Sequence, residues 1–144
     1  MQFQVSTDYA IRIVQYLHIH RTQLPTAKTI SQSIGVTYSF FLKIANQLKL
    51  HGLVDTVQGR NGGYMLAKPA AEISLYDIYF AIEGELQINR CLKGDQYCSR
   101  DAVGDCPVHD YLLVLQNDLI ALLSSKYISD FVPAESSIGV GSTS

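Results

Sequence analysis

Between Thr26 and Gly52 the chain carries two short stretches of helical periodicity separated by a glycine, and this pair limits the fold more than any other feature. In the first stretch Ala27, Ile30 and Ile34 recur at helical steps behind a capping threonine, Thr26. Gly35 supplies the turn, with Val36 packing beneath it. From Thr37 the second stretch places Phe41, Ile44, Ala45 and Leu48 on one face. Ser39, Lys43, Asn46 and Gln47 fall on the other, with Tyr38 and Phe40 near the start. Two helices around a glycine turn make a helix-turn-helix, whose second helix enters a DNA major groove. Any αα-hairpin in a small bundle has the same pattern, so the flanking segments must decide.

Upstream, Ala10, Ile13, Val14 and Leu17 predict a helix from about Thr7 to His20. Ser6 or Thr7 can cap it, and Asp8 in its first turn suits the helix dipole. Arg21–Pro25 breaks the pattern. Downstream, His51-Gly52 ends the second helix, Leu53–Val57 reads as a strand, and residues 58–63 (QGRNGG) form a turn before a second strand, Tyr64–Ala67. A hairpin directly after the second helix is a wing. Arg60 and Asn61 at its tip, among glycines, match the negative potential of a narrow minor groove.

Charge agrees with this reading. Residues 1–70 carry +5 and residues 71–144 carry −7, within a net charge of −2. The basic half is a candidate polyanion surface, because neutralising phosphates releases counterions. A hydrophobic fraction of 47% supports a packed core and excludes wholesale disorder. Apolar runs such as Tyr111–Leu115 fall far short of the roughly 20 residues that cross a bilayer. The opening MQFQVSTDYA lacks the basic-then-apolar pattern of a secretory signal, so a cytoplasmic protein without membrane partners is expected.

The acidic half opens with Ser74-Leu75-Tyr76-Asp77, a capping box for a helix to about Gly84. A loop over residues 84–106 follows and holds all three cysteines. Pro107 suits the first position of a new helix, along which Leu112, Leu115, Leu119 and Leu122 form an a/d-like stripe. The tail from residue 132 is rich in Gly and Ser and reads as disordered. The expected fold is mainly α with a small β wing. Residues 1–70 form a winged helix-turn-helix, residues 71–106 a connecting helix and cysteine loop, and residues 107–131 a long dimerisation helix.

The thiols are spaced Cys91-x6-Cys98-x7-Cys106, with His109 just beyond. Three thiolates from one loop can converge on a soft metal centre, and Arg90, Lys93 and Arg100 offer positive charge nearby. The tight C-x2–4-C knuckle of zinc ribbons is absent, whereas iron–sulfur clusters tolerate wider spacing. Three thiols without a cofactor, acting as a redox switch, are the alternative.

The R-x-G-G-Y-x-L core of the wing (Arg60, Gly62, Gly63, Tyr64, Leu66) resembles that of the Rrf-type winged-helix transcription regulators, the IscR/NsrR/CymR-like family. Thr7-Asp8-Tyr9-Ala10 with Arg12 is similar to the family's first helix, Leu42–Leu48 to its recognition helix, and Ser74–Gly84 to its Glu-Gly-terminated helix. The resemblance spans roughly residues 1–130. It implies a homodimeric bacterial DNA-binding regulator, with the dimer helix where the leucine stripe lies. Cluster-binding members carry three cysteines in this loop, so Cys91, Cys98 and Cys106 match them as metal ligands.

Two branches of the family differ in the fourth ligand. In the IscR-like branch it corresponds to His109. In the NsrR-like branch an aspartate of the other subunit's first helix, here Asp8, completes a four-iron cluster. Asp8 with Arg12, and the Leu42–Leu48 segment, look more like the nitric-oxide-sensing NsrR branch, which favours four irons over two and Asp8 over His109. A non-thiolate ligand holds iron less firmly and leaves it open to a small molecule, which suits a sensor of nitric oxide, redox state or iron supply.

The reading is therefore a transcription regulator on a pseudo-palindromic, double-stranded operator with half-sites about 34 Å apart. Ser39 and Lys43 are expected in the major groove, with Tyr38 at the helix start. Arg60 and Asn61 are expected in the flanking minor groove, and Thr26 and Lys28 on phosphate. The rivals are a cluster-free thiol-switch regulator and an interaction module that binds no DNA. No nucleophile–base pair, phosphate-cradling loop or carboxylate pair argues for an enzyme.

Overall fold

A computed structural model describes residues 2–101 and 103–131. The expected disordered tail, residues 132–144, lies outside the described residues. Among these, five helices surround one small sheet: α1 (Val5–Ile19), α2 (Ala27–Ile34), α3 (Tyr38–Leu50), β1 (Val54–Val57), β2 (Gly63–Leu66), α4 (Leu75–Glu83) and α5 (Pro107–Ser124). This is the mainly α, winged architecture expected, and among the described residues no helix is long and apolar enough to cross a membrane.

The helix-turn-helix follows from local chemistry. Thr26 caps α2 by accepting the Thr29 N–H at 3.2 Å, and Thr37 caps α3 by accepting the Phe40 N–H at 3.3 Å. Gly35 sits between them at φ +77°, a left-handed conformation that ends α2 without a Cβ penalty. The wing is an antiparallel pair with Val54 opposite Leu66 and Val57 opposite Gly63.

The glycines of the R-x-G-G-Y motif are steric requirements. A Cβ on Gly62 would lie 1.9 Å from the Val57 carbonyl oxygen. A Cβ on Gly63 would lie 2.4 Å from the Leu24 oxygen and 2.5 Å from that of Pro25. The wing therefore docks its backbone directly on the α1–α2 loop, where Tyr64 N–H donates to Pro25 O at 2.9 Å.

One buried cluster joins Ala10, Ile13, Val14 and Leu17 of α1 to Ile30, Phe41, Ile44 and Leu48 of the helix pair, and continues through Ile73, Ile78 and Ala81 to Ile128. Fully burying side chains of this size contributes about 1.5–3 kcal/mol each. The stripes expected on α1 and α3 are thus core. Ile34 and Ala27 are only half-buried against it, leaving Ile30 as the buried anchor of α2.

Two details differ from expectation. Neither Ser6 nor Thr7 caps α1; the N-cap is Gln4, with no side-chain cap bond. Thr7 is instead 1% exposed and donates its hydroxyl to Glu83 of α4, which also accepts the Gln4 N–H at 3.2 Å. The capping box of α4 forms as expected, with Ser74 and Asp77 exchanging bonds of 2.9 and 3.0 Å.

After α5 the chain returns to the core. Leu75 N–H donates to Lys126 O, Ile128 N–H donates to Ile73 O, and Gln15 donates to Phe131 O at 2.6 Å.

Candidate cluster site and nucleic-acid interface

The cysteine loop leaves α4 at Gly84, makes short 3-10 turns at Arg90–Leu92 and Val103–Asp105, and enters α5 through Cys106. Cys106 is the N-cap of α5: its sulfur accepts the His109 N–H at 3.5 Å. That position sets the sulfur against the positive end of a helix dipole. One turn into α5, His109 is 8% exposed, and its Nδ1 stands 3.1 Å from Cys91 Sγ. Asn89 donates to Cys91 at 3.4 Å, and Arg100 approaches Cys106 at 3.9 Å.

Cys91, Cys98, Cys106 and His109 line a single cavity of about 380 Å³, with Tyr97, Val103, Val108 and Leu112 among its other walls. The sulfurs and the imidazole stand around this space. Among the described residues, no three His, Cys, Asp or Glu side chains converge closely enough to hold one metal ion. A soft N/S donor set spread over a cavity wall fits a multi-atom iron–sulfur group better than a mononuclear site.

Of the three basic residues expected beside the thiols, Arg90 and Arg100 line the cavity with them and Lys93 does not. Arg90 is paired there with Asp95 through two hydrogen bonds, one of 2.7 Å, and lies over the Tyr97 ring at 5.0 Å. The Arg90 hydrogen bond holds the Asp95 carboxyl at about 2, below its ordinary 3.8, and closes the loop over residues 90–97.

Asp8 does not line this cavity. It is exposed on α1 and paired with Arg12 at 2.9 Å; Arg12 also donates to Ile34 O, at the end of α2, at 3.3 Å. Within one chain the structure therefore brings His109, and not Asp8, to the cysteines.

The exposed face of α3 carries Tyr38, Ser39 and Lys43, as the periodicity required. Tyr38 is 54% exposed. Thr26 and Lys28 are exposed at the start of α2, and Arg60 and Asn61 are exposed at the wing tip. A shallow groove lined by Thr26, Tyr38, Gly59 and Tyr64 runs between the helix starts and the wing. A second, lined by Asn46, Lys49, Thr56 and Gln58, lies between α3 and β1. Sequence reasoning missed Lys49 and Gln58. Lys49 bonds Thr56 at 2.8 Å and ties the end of α3 to the wing, a pairing between elements that spacing along the chain does not reveal. Behind this surface the Tyr64 ring meets Phe41 of α3 edge-on at 5.2 Å. Burial, and then the nearby Tyr38 phenol, push the Tyr64 hydroxyl above its ordinary value.

The leucine stripe of α5 divides. Leu112 and Leu119 are half-buried on the side of His109 and Gln116, whose Oε1 accepts the Ile88 N–H at 2.9 Å. Leu115 and Leu122 are 44% and 66% exposed, and Val108, Tyr111 and Val114 extend that apolar surface.

Residues 3–134 match the family model described as Rrf2, iron-dependent transcriptional regulator. The chain is 32% identical over 94 residues to the HTH-type transcriptional regulator NsrR of Shouchella clausii, covering 65% of this chain and 63% of that protein. It is also 32% identical over 117 residues to IscR of Photorhabdus laumondii, covering 81% and 68%. Its fold is similar to that of CymR, described as the global cysteine regulator of B. subtilis, with a TM-score of 0.74 at 18% identity over 90% of this chain and 95% of that one.

Proposed function

Because the chain belongs to the Rrf2 family of transcriptional regulators and is a DNA-binding protein rather than an enzyme, we propose that it is a homodimer whose grip on DNA is set by an iron–sulfur cluster in the cysteine loop. The observation that carries this reading is the gathering of Cys91, Cys98, Cys106 and His109 around one cavity. When bound, such a cluster supplies a redox-active centre open to nitric oxide or oxidants at its least firmly ligated iron. The three cysteines would hold it as thiolates. His109 offers a fourth ligand from the same chain, and Asp8 from the partner's α1 is the ligand of the NsrR-like alternative, which goes with four irons. To serve there, Asp8 must leave Arg12.

The chain's own contacts support a route from loop to DNA. Glu83 immediately precedes the loop and holds the start of α1 through Thr7 and Gln4. On the next turn of α4, Phe80 meets His51 at the end of α3 with ring centroids 6.0 Å apart. A displacement of the loop therefore pulls on α1 and on the recognition helix together. The exposed side of α5 (Val108, Tyr111, Leu115, Leu122) is the proposed dimer seam. In the dimer, Ser39, Lys43 and Tyr38 would meet the major groove, Arg60 and Asn61 the minor groove, and Thr26 and Lys28 the phosphates.

The test is iron and sulfide analysis with a visible spectrum on protein purified without oxygen. A coloured protein with acid-labile sulfide supports the reading; roughly four irons per chain favour Asp8 and roughly two favour His109. Cys98→Ala is expected to lose the iron while remaining a folded dimer by circular dichroism and sedimentation. A colourless wild type, or a Cys98→Ala variant with full iron, refutes the assignment and leaves a thiol switch.

A further inference from the structure

At the root of the wing, a cavity of about 480 Å³ that shares no lining residue with the cysteine cavity opens between the end of α1, β2 and the segment after it. Its size is that of small-molecule sites, which combine apolar walls with a few polar groups. The buried Leu17 and Ala70 contribute apolar wall, and Met65, 45% exposed, leaves its thioether side chain accessible there. Two cations, Arg21 and Lys68, also line it, and no acidic residue does so among the described residues. Neither cation forms an ion pair with another described residue. One Arg21 nitrogen donates to His18 O at 2.9 Å, which fixes the guanidinium at the mouth and leaves its other donors for a ligand. Burial and the adjacent Arg21 hold the His18 imidazole below its ordinary value, so it is neutral at pH 7 and the positive charge rests on Arg21 and Lys68.

We propose that this cavity binds a small carboxylate with an apolar, aromatic or aliphatic, body. The body fills the space beside Leu17, Ala70 and Met65, and the carboxylate accepts charge-assisted hydrogen bonds from Arg21 and Lys68. The site has a mechanical consequence. Tyr64 lines the cavity and its ring packs on Phe41, so a bound ligand lies against the residue that seats the wing on α3. The inference is independent of the cluster.

Methionine labelling gives a direct test, because the chain has only two methionines, Met1 and Met65. With 13C-methyl methionine in the full-length chain, 3-phenylpropionate is expected to move the Met65 resonance saturably and leave Met1 in place. The neutral 3-phenylpropanol is expected to need at least tenfold higher concentration. Arg21→Gln with Lys68→Gln is expected to raise the midpoint about tenfold, the loss of a charge-assisted contact, while the ligand-free spectrum stays folded. A shift that fails to saturate by about 10 mM, where a ligand with a Kd of about 1 mM would fill most sites, overturns the proposal. So does equal binding of the alcohol and the acid, or a double variant that weakens DNA binding while its 3-phenylpropionate midpoint is unchanged, which would make the two cations phosphate contacts.

Discussion

Replacing Gly63 by alanine adds one methyl group where the wing has no room for it. The new carbon would sit 2.4 and 2.5 Å from the Leu24 and Pro25 carbonyl oxygens, against ordinary contact at 3.4 Å and beyond. Relief requires the wing to move about 1 Å off the loop. Overpacking of this kind costs about 1–3 kcal/mol. The same movement stretches the 2.9 Å bond from Tyr64 N–H to Pro25 O, a further loss of about 1 kcal/mol. A total of about 2–4 kcal/mol follows, roughly 8 °C or more in Tm for a chain of this size. Equilibrium urea unfolding followed by circular dichroism, at fixed protein concentration, measures it. Gly94→Ala is the control: a Cβ there meets nothing within 4 Å and its φ is ordinary, so stability should stay within about 0.5 kcal/mol. If Gly63→Ala loses less than about 0.5 kcal/mol, or gains stability as unhindered Gly→Ala changes do, the wing is not seated on the loop backbone and the steric account of the motif is wrong.

Three further outcomes are expected. Arg60→Ala should weaken operator binding about tenfold, most at A·T-rich flanks, without changing the melting temperature; unaltered affinity in a gel-shift titration removes the wing tip from the interface. Leu122→Glu, at a position 66% exposed in the single chain, should convert a dimer to a folded monomer in sedimentation, and a persisting dimer would move the seam off α5. The Asp95 carboxyl should titrate at about 2 by NMR and return towards 3.8 in Arg90→Gln. Since its folded value is depressed, the clamp is fully present above about pH 3.8 and is lost as pH falls through about 2; an unmoved value in Arg90→Gln would show that Arg90 is not its cause.

What could be read from the sequence was what local chemistry decides. Helix periodicity, the caps Thr26 and Ser74, and the turn at Gly35 depend on neighbours three or four residues away, and those elements lie within a residue or two of expectation. Contacts between distant segments left no such trace. Thr7 looked like a cap because its partner, Glu83, is 76 residues along the chain. Arg90 lines the cysteine cavity as expected, but its pairing with Asp95, five residues on, carries no sequence signal. The leucines of α5 looked like one stripe because the packing of α4 and of the cysteine loop decides which of them are covered. For the cysteine site, the sequence supplied the residue types, and folding was needed to bring His109 beside Cys91. The cavity under the wing had no sequence signal, since its walls come from three separate segments, around residues 17–23, 64–71 and 129.

The return of the chain after α5 fixes one end of that helix. Ile128 is locked into the core and hydrogen-bonded to Ile73, so the end of α5 nearest Ser124 is a fulcrum, while the Cys106 end packs against the cysteine loop through His109 and Leu112. Eighteen residues at about 1.5 Å each give an arm of roughly 27 Å. A 1 Å displacement of Cys106 therefore swings the arm by about 2°. If the proposed seam lays two such arms side by side across a two-fold axis, they turn in opposite senses and double the angle between the bodies that carry them. In the proposed homodimer, chemistry at three sulfurs would become, by leverage alone, a change in how far apart the two recognition helices stand.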